Sequence, residues 1–112
     1  MKIAIPVNKG MVSPHFGHCE EFRVYQVNTD KCEIVEKNAH PSPPHVPGEL
    51  PKWLAEKGVD MVLAGGMGTR AQQLFSSHGI KVLVGAGQVD ADELVQNYLD
   101  GDFEGAGNLC DH

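Results

Sequence analysis

Two imidazoles and a thiol stand within five residues, at His15, His18 and Cys19, in the stretch Val12-Ser13-Pro14-His15-Phe16-Gly17-His18-Cys19. Imidazole and thiolate are the common protein ligands of borderline and soft metals. Pro14 and Gly17 suit a loop held in one shape. The spacing is not that of a structural zinc site, which adds a second Cys or His pair at a set interval. A bland reading stands beside the metal reading: loop histidines in water, and Cys19 as a small buried apolar group.

Three further stretches carry ligand chemistry. His40 and His45 lie in 39–48, a segment with four prolines, read as a stiffened loop. Its histidines are either solvated or ligands. Gly65-Gly66-Met67-Gly68 either permits a tight turn or offers the bare amides of Gly66, Met67 and Gly68 to an anion at a helix start. Neither a Gly-Lys-Ser/Thr phosphate loop nor a Gly-x-Gly-x-x-Gly fingerprint is present, so a small dense anion fits better than a nucleotide. A sulfide-rich metal cluster is such an anion. Cys110-Asp111-His112 is a weaker ligand group, on a tail long enough to return to a distant pocket. Cys32 falls in a strand-like run and reads as packing. No Ser-His-Asp or paired-carboxylate pattern stands out, so an enzyme is not expected.

These groups must be positioned by the elements between them. Ile3 to Val7 reads as a buried strand. Phe22, Val24 and Gln26 alternate with Arg23, Tyr25 and Val27, giving a second strand. Asn28 to Lys31 is a turn, and Cys32 to Lys37 is a third strand, antiparallel to the second. Leu50, Trp53, Leu54 and Lys57 share a helical face, with Gly58 as the stop. Met61 to Ala64 is a fourth strand. Thr69 is placed to cap a helix striped by Ala71, Leu74 and Phe75. Ile80 to Val84 is a fifth strand. Asp90 with Glu93 resembles a capping box ahead of a helix through Leu99, closed by Gly101.

This order predicts an α/β fold: a mixed five-stranded sheet, strand two antiparallel, with helices on both faces. The loops after strands one, three, four and five would leave by one edge, the usual ligand edge of an open α/β sheet. That would gather His15, His18, Cys19, His40, His45 and two Gly-rich turns, Gly65–Gly68 and Gly85–Gly87.

The chain has 112 residues and a formal net charge of −6, with its nine basic residues scattered. One domain is expected, over 1–101, with 102–112 as a flexible tail. Scattered cations argue against nucleic acid. No apolar run nears the ~20 residues of a membrane helix, and no signal peptide is read, so a cytoplasmic protein is expected. Three cysteines then read as free thiols or ligands.

Met1-Lys2-Ile3-Ala4-Ile5-Pro6, Ser13-Pro14-His15-Phe16-Gly17, Phe22, His45 through Trp53-Leu54, Val62 to Gly68 and Tyr98-Leu99-x-Gly101 recur together in one family. In these residues the chain resembles the dinitrogenase iron–molybdenum cofactor biosynthesis family, the NifX and NifB C-terminal type of domain. The resemblance implies a ribonuclease H-like three-layer α/β/α fold. It also implies carriage of an iron–sulfur or molybdenum–iron–sulfur cluster, or its precursor, between metallocofactor assembly proteins. Many relatives have Arg-Ala after His-Phe-Gly; this chain has His18-Cys19, which adds ligands. Ser13 and the Gly66–Gly68 amides would then bond cluster sulfides, and His15, His18, Cys19 and His45 would meet the metal. Two readings compete: a simple zinc, copper or nickel module at the same loop, and an oxyanion-binding regulatory or catalytic module at the Gly-rich turns.

Overall fold

The computed structural model describes residues 1–13, 20–41, 49–85 and 89–100. The elements are β1 (Lys2–Asn8), β2 (Met11–Val12), β3 (Glu21–Asn28), β4 (Glu33–Pro41), α1 (Glu49–Glu56), β5 (Met61–Leu63), α2 (Thr69–Ser77), β6 (Lys81–Leu83) and α3 (Ala91–Leu99). The sheet runs β4-β3-β1-β5-β6, with β2 beside β1. β3 is antiparallel to both β1 and β4, while β5 and β6 run parallel to β1. The directions expected for the five longer strands therefore hold.

The sheet has six strands, not five. Met11–Val12, read as loop, pairs with Val7 and Asn8. Lys9 and Gly10 between them have φ of 54° and 81°. Left-handed backbone at both central residues matches the twist of a two-residue hairpin, and Gly10 adopts it without a Cβ clash.

Alternation along the strands divides the core. Ile3, Ile5, Val7, Tyr25, Val27, Met61 and Leu63 face α3, where Ala91, Leu94 and Val95 are buried against them. Ala4, Phe22, Val24, Val62 and Ala64 face the other way, onto Leu54 of α1 and Phe75 of α2. Period two in the strands and 3.6 in the helices put three layers together.

α3 is fixed by polar contacts as well. Asp90 caps it, accepting from the amides of Asp92 and Glu93. Asp92 accepts from the Tyr25 hydroxyl at 2.5 Å and from Arg23 at 3.4 Å, and it pairs with Lys37. Bonds from Lys37 and Tyr25 hold its carboxyl below the ordinary aspartate value. Burial, then the bond to Asp92, pushes the Tyr25 phenol up. One carboxylate thus ties α3 to β3 and to the edge strand β4.

Local expectations change in four places. β4 continues to Pro41, so His40 is a strand residue paired with Phe22, not a loop residue. The edge of an antiparallel sheet tolerates Pro41 because no neighbour needs its N–H. Cys32 is exposed in the turn before β4, with φ of 51°. Asn28, whose side chain accepts from the amides of Asp30 and Lys31, builds that turn. Gly68, not Thr69, is the N-cap of α2, and it supplies no side-chain bond. Between Gln26 and Val27 the register slips, leaving Val35 as the extra residue of a bulge, 61% exposed.

No helix among the described residues is long and apolar enough to cross a membrane, which says nothing about β-barrels.

Candidate functional site

β1, β4, β5 and β6 share one direction, so their C-terminal ends lie at one edge of the sheet. Pro41, the last residue of β4, pairs with Glu21, which pairs with Val7 near the end of β1. The segments that follow these four strands therefore all start from this edge.

The first of them starts from a closed base. Ser13 is 1% exposed, and its amide donates to the Pro6 carbonyl at 2.8 Å. Asn8 Nδ2 donates to the Ser13 hydroxyl at 3.2 Å. Asn8 Oδ1 accepts from the Glu20 amide at 2.6 Å, which also reaches the Val7 carbonyl at 3.1 Å. Glu20 Oε1 in turn accepts from the Lys9 amide at 2.9 Å. One asparagine at the end of β1 thus ties residue 13 to residue 20. The hairpin behind it is anchored too: Val12 donates to Val89 at 2.9 Å, and Ala91 donates to Gly10 at 3.1 Å.

The Gly-rich turns are joined to each other. Ala64 donates to Leu83 at 3.0 Å and Gly85 donates to Gly65 at 3.1 Å. Gln72 of α2 donates from its side chain to the Met67 carbonyl at 2.9 Å. Gly68 has an ordinary extended backbone, φ −65° and ψ 153°, and a Cβ built on it would meet nothing within 4 Å. Neither its torsion nor packing among the described residues requires glycine there. Met67 is half-buried against the Phe75 side of the core.

Of the predicted ligand residues, Ser13, Gly66, Met67 and Gly68 fall at this edge. His40 lies one residue before the end of β4, edge-on to Trp53 with ring centroids 6.2 Å apart. Burial, then the charges of Lys57 and Lys2, lowers its pKa. His15, His18, Cys19, His45, Cys110 and His112 lie outside the described residues, as does the predicted tail 102–112. Among the described residues no three His, Cys, Asp or Glu side chains converge as a metal site.

Asn8 and Glu20 went unrecognised from sequence. The available signal was the Asn-Lys-Gly turn directly before Met11-Val12, a hairpin signature that fixes Asn8 at a strand end.

The family model for the dinitrogenase iron–molybdenum cofactor matches residues 1–101. The chain belongs to that family. An uncharacterized protein of Methanocaldococcus jannaschii, MJ0580, is 31% identical over 107 residues, covering 93% of this chain and 90% of its own. The crystal structure of PH0822 superposes with a TM-score of 0.86 at 25% identity, covering 96% of each chain. The apo form of the orange protein from Desulfovibrio gigas superposes with a TM-score of 0.75 at 26% identity, covering 94% of this chain and 92% of its own.

Proposed function

We propose that this family member carries an iron–sulfur or molybdenum–iron–sulfur cluster, or a precursor, and passes it between cytoplasmic metallocofactor assembly proteins without catalysing a reaction. The observation that carries the reading is the closed base of the first loop. Asn8 ties Ser13 to Glu20, so the two ends of the stretch that carries His15, His18 and Cys19 are held together at this edge. Pre-ordering the ends lowers the entropic cost of bringing ligands to a metal.

His15, His18, Cys19 and His45 would meet the metal, with His40, Cys110 and His112 as weaker candidates. Ser13 and the amides of Gly66, Met67 and Gly68 would bond sulfide. Support for the second group comes from Gly68, where the missing Cβ answers no need of the described residues around it. An N-cap without a side-chain acceptor leaves first-turn amides of α2 able to receive negative charge. The strand order, with one antiparallel strand in an otherwise parallel main set, supports placing the fold in the ribonuclease H-like group.

Anaerobic reconstitution with iron, sulfide and molybdate tests the proposal. Wild type should retain charge-transfer absorbance and acid-labile sulfide after desalting, and a His15→Ala, Cys19→Ser double variant should lose most of both. Equal retention by the two proteins rejects the reading. Stoichiometric zinc, copper or nickel without labile sulfide would replace it with the simple metal module.

A further inference from the structure

A cavity lies on the α1 face of the sheet, running from Lys2 at the start of β1 to His40 near the end of β4. It encloses about 360 Å³ and is lined by Lys2, Val24, Gln26, Asn38, His40 and Lys57, with Glu36 at the β4 side. Its floor is the even-numbered face of β3 and β4, and the opposite wall is Lys2 of β1 with Lys57 just past the end of α1. Sites for small ligands run from roughly 300 to 1,000 Å³, so this one takes a small molecule.

The electrostatics of the wall are specific. The Lys57 ammonium stands over the Trp53 ring, 4.7 Å from its centroid, which fixes the side chain in place. The Lys2 ammonium donates to the Lys57 carbonyl at 3.1 Å and keeps further protons to offer. Neither ammonium forms an ion pair with a described residue. Glu36 sits two strands from Lys2, with β3 between them, and accepts from Asn38 at 3.2 Å. Two cations thus face one carboxylate and one imidazole, in a chain whose formal charge is −6. Val24, 6% exposed, supplies an apolar floor beside them.

We infer that this cavity is a second ligand site, for a small organic anion whose carboxylate or phosphate head lies between Lys2 and Lys57 and whose body rests on Val24 and His40. Charge sets the head group, since a concave low-dielectric surface concentrates anions at paired cations. Volume sets the body. The inference shares only His40, a weaker metal candidate, with the cluster-carrier reading and needs no metal.

Metal-free full-length protein is titrated at fixed ionic strength with phenyl phosphate, with benzoate and with inorganic phosphate, following amide proton–nitrogen spectra. Saturable shifts should centre on Val24, Asn38, His40, Lys57 and the Trp53 indole, and the tighter of the two aromatic probes identifies the head group. Inorganic phosphate should bind at the same residues but more weakly. Lys57→Gln should weaken binding about tenfold or more, as loss of a charge-assisted bond does. Lys57→Met, which keeps the stem over Trp53, repeats the measurement should the Gln variant fold poorly. Lys81→Gln, exposed on the far edge strand β6, should bind like wild type. Shifts reproduced by sodium chloride, no saturation by ~10 mM probe, or equal affinity in the Lys57 variants would overturn the site. So would shifts at these residues that follow protein concentration alone, which would mean that a second copy covers the face.

Discussion

The two faces of the sheet are finished differently. On one, α3 carries its apolar stripe onto β1 and β5 and then reaches β4 through Asp92, which holds Tyr25, Arg23 and Lys37 together. On the other, Leu54 and Phe75 seal the centre with apolar contact, and between Lys2, Lys57 and β4 the sheet floor stays open. A charged residue in the first turn of a helix can extend cover across an edge strand where a leucine stripe cannot, because the edge strand's outward residues are polar. The face closed by charge is the scaffold. The face sealed mainly by apolar packing keeps an open cavity beside β4.

The comparison breaks most severely at Phe75, which is fully buried. Phe75→Ala should cost about 3–5 kcal/mol in urea unfolding, since no neighbouring element can fill the space. A loss under about 1 kcal/mol would mean that the α2 side contributes little to the core.

Asp92→Asn probes the charged face. Asp92 is 38% exposed, so water screens its bonds and a loss of about 1 kcal/mol near neutrality is expected. The pH dependence has a definite sign. The native state holds Asp92 below the unfolded value, so its contribution is complete above the ordinary aspartate range. It drains as pH falls through the depressed native pKa. Unfolding midpoints measured from neutral to acid pH should therefore fall less steeply in Asp92→Asn than in wild type.

The smallest change in stability is expected at Gly68. Gly68→Ser supplies the missing cap of α2 and should stabilise the metal-free protein by a few tenths of a kcal/mol. The same variant should retain less reconstituted cluster, because its Cβ enters the space proposed for cargo. Higher thermal stability with undiminished cluster would remove Gly68 from the site.

Much of this was legible in the residues. Alternation in Phe22 to Val27 and the run Ile3 to Val7 fixed which side chains face which layer, because a strand turns its side chains every second residue. Asp90 reads as a cap because a carboxylate can bond its own helix's first amides without distant help. Strand directions followed from short connections and helical crossovers. His40 and Cys32 were misplaced because both sit at element ends, where pairing partners decide the boundary. His40 stays in β4 because Phe22 pairs with it, and Phe22 is far off in sequence.

Family membership and the layering of helices on both sheet faces were thus legible in residue order alone. Tertiary structure decided the rest. It closed the loop base through Asn8, made Asp92 the link between α3 and β4, and set Lys2 beside the Lys57 carbonyl, 55 positions apart in the chain. The physical reason is common to all three. A hydrogen bond or ion pair between residues on separate elements depends on how those elements pack, and local periodicity holds no record of it.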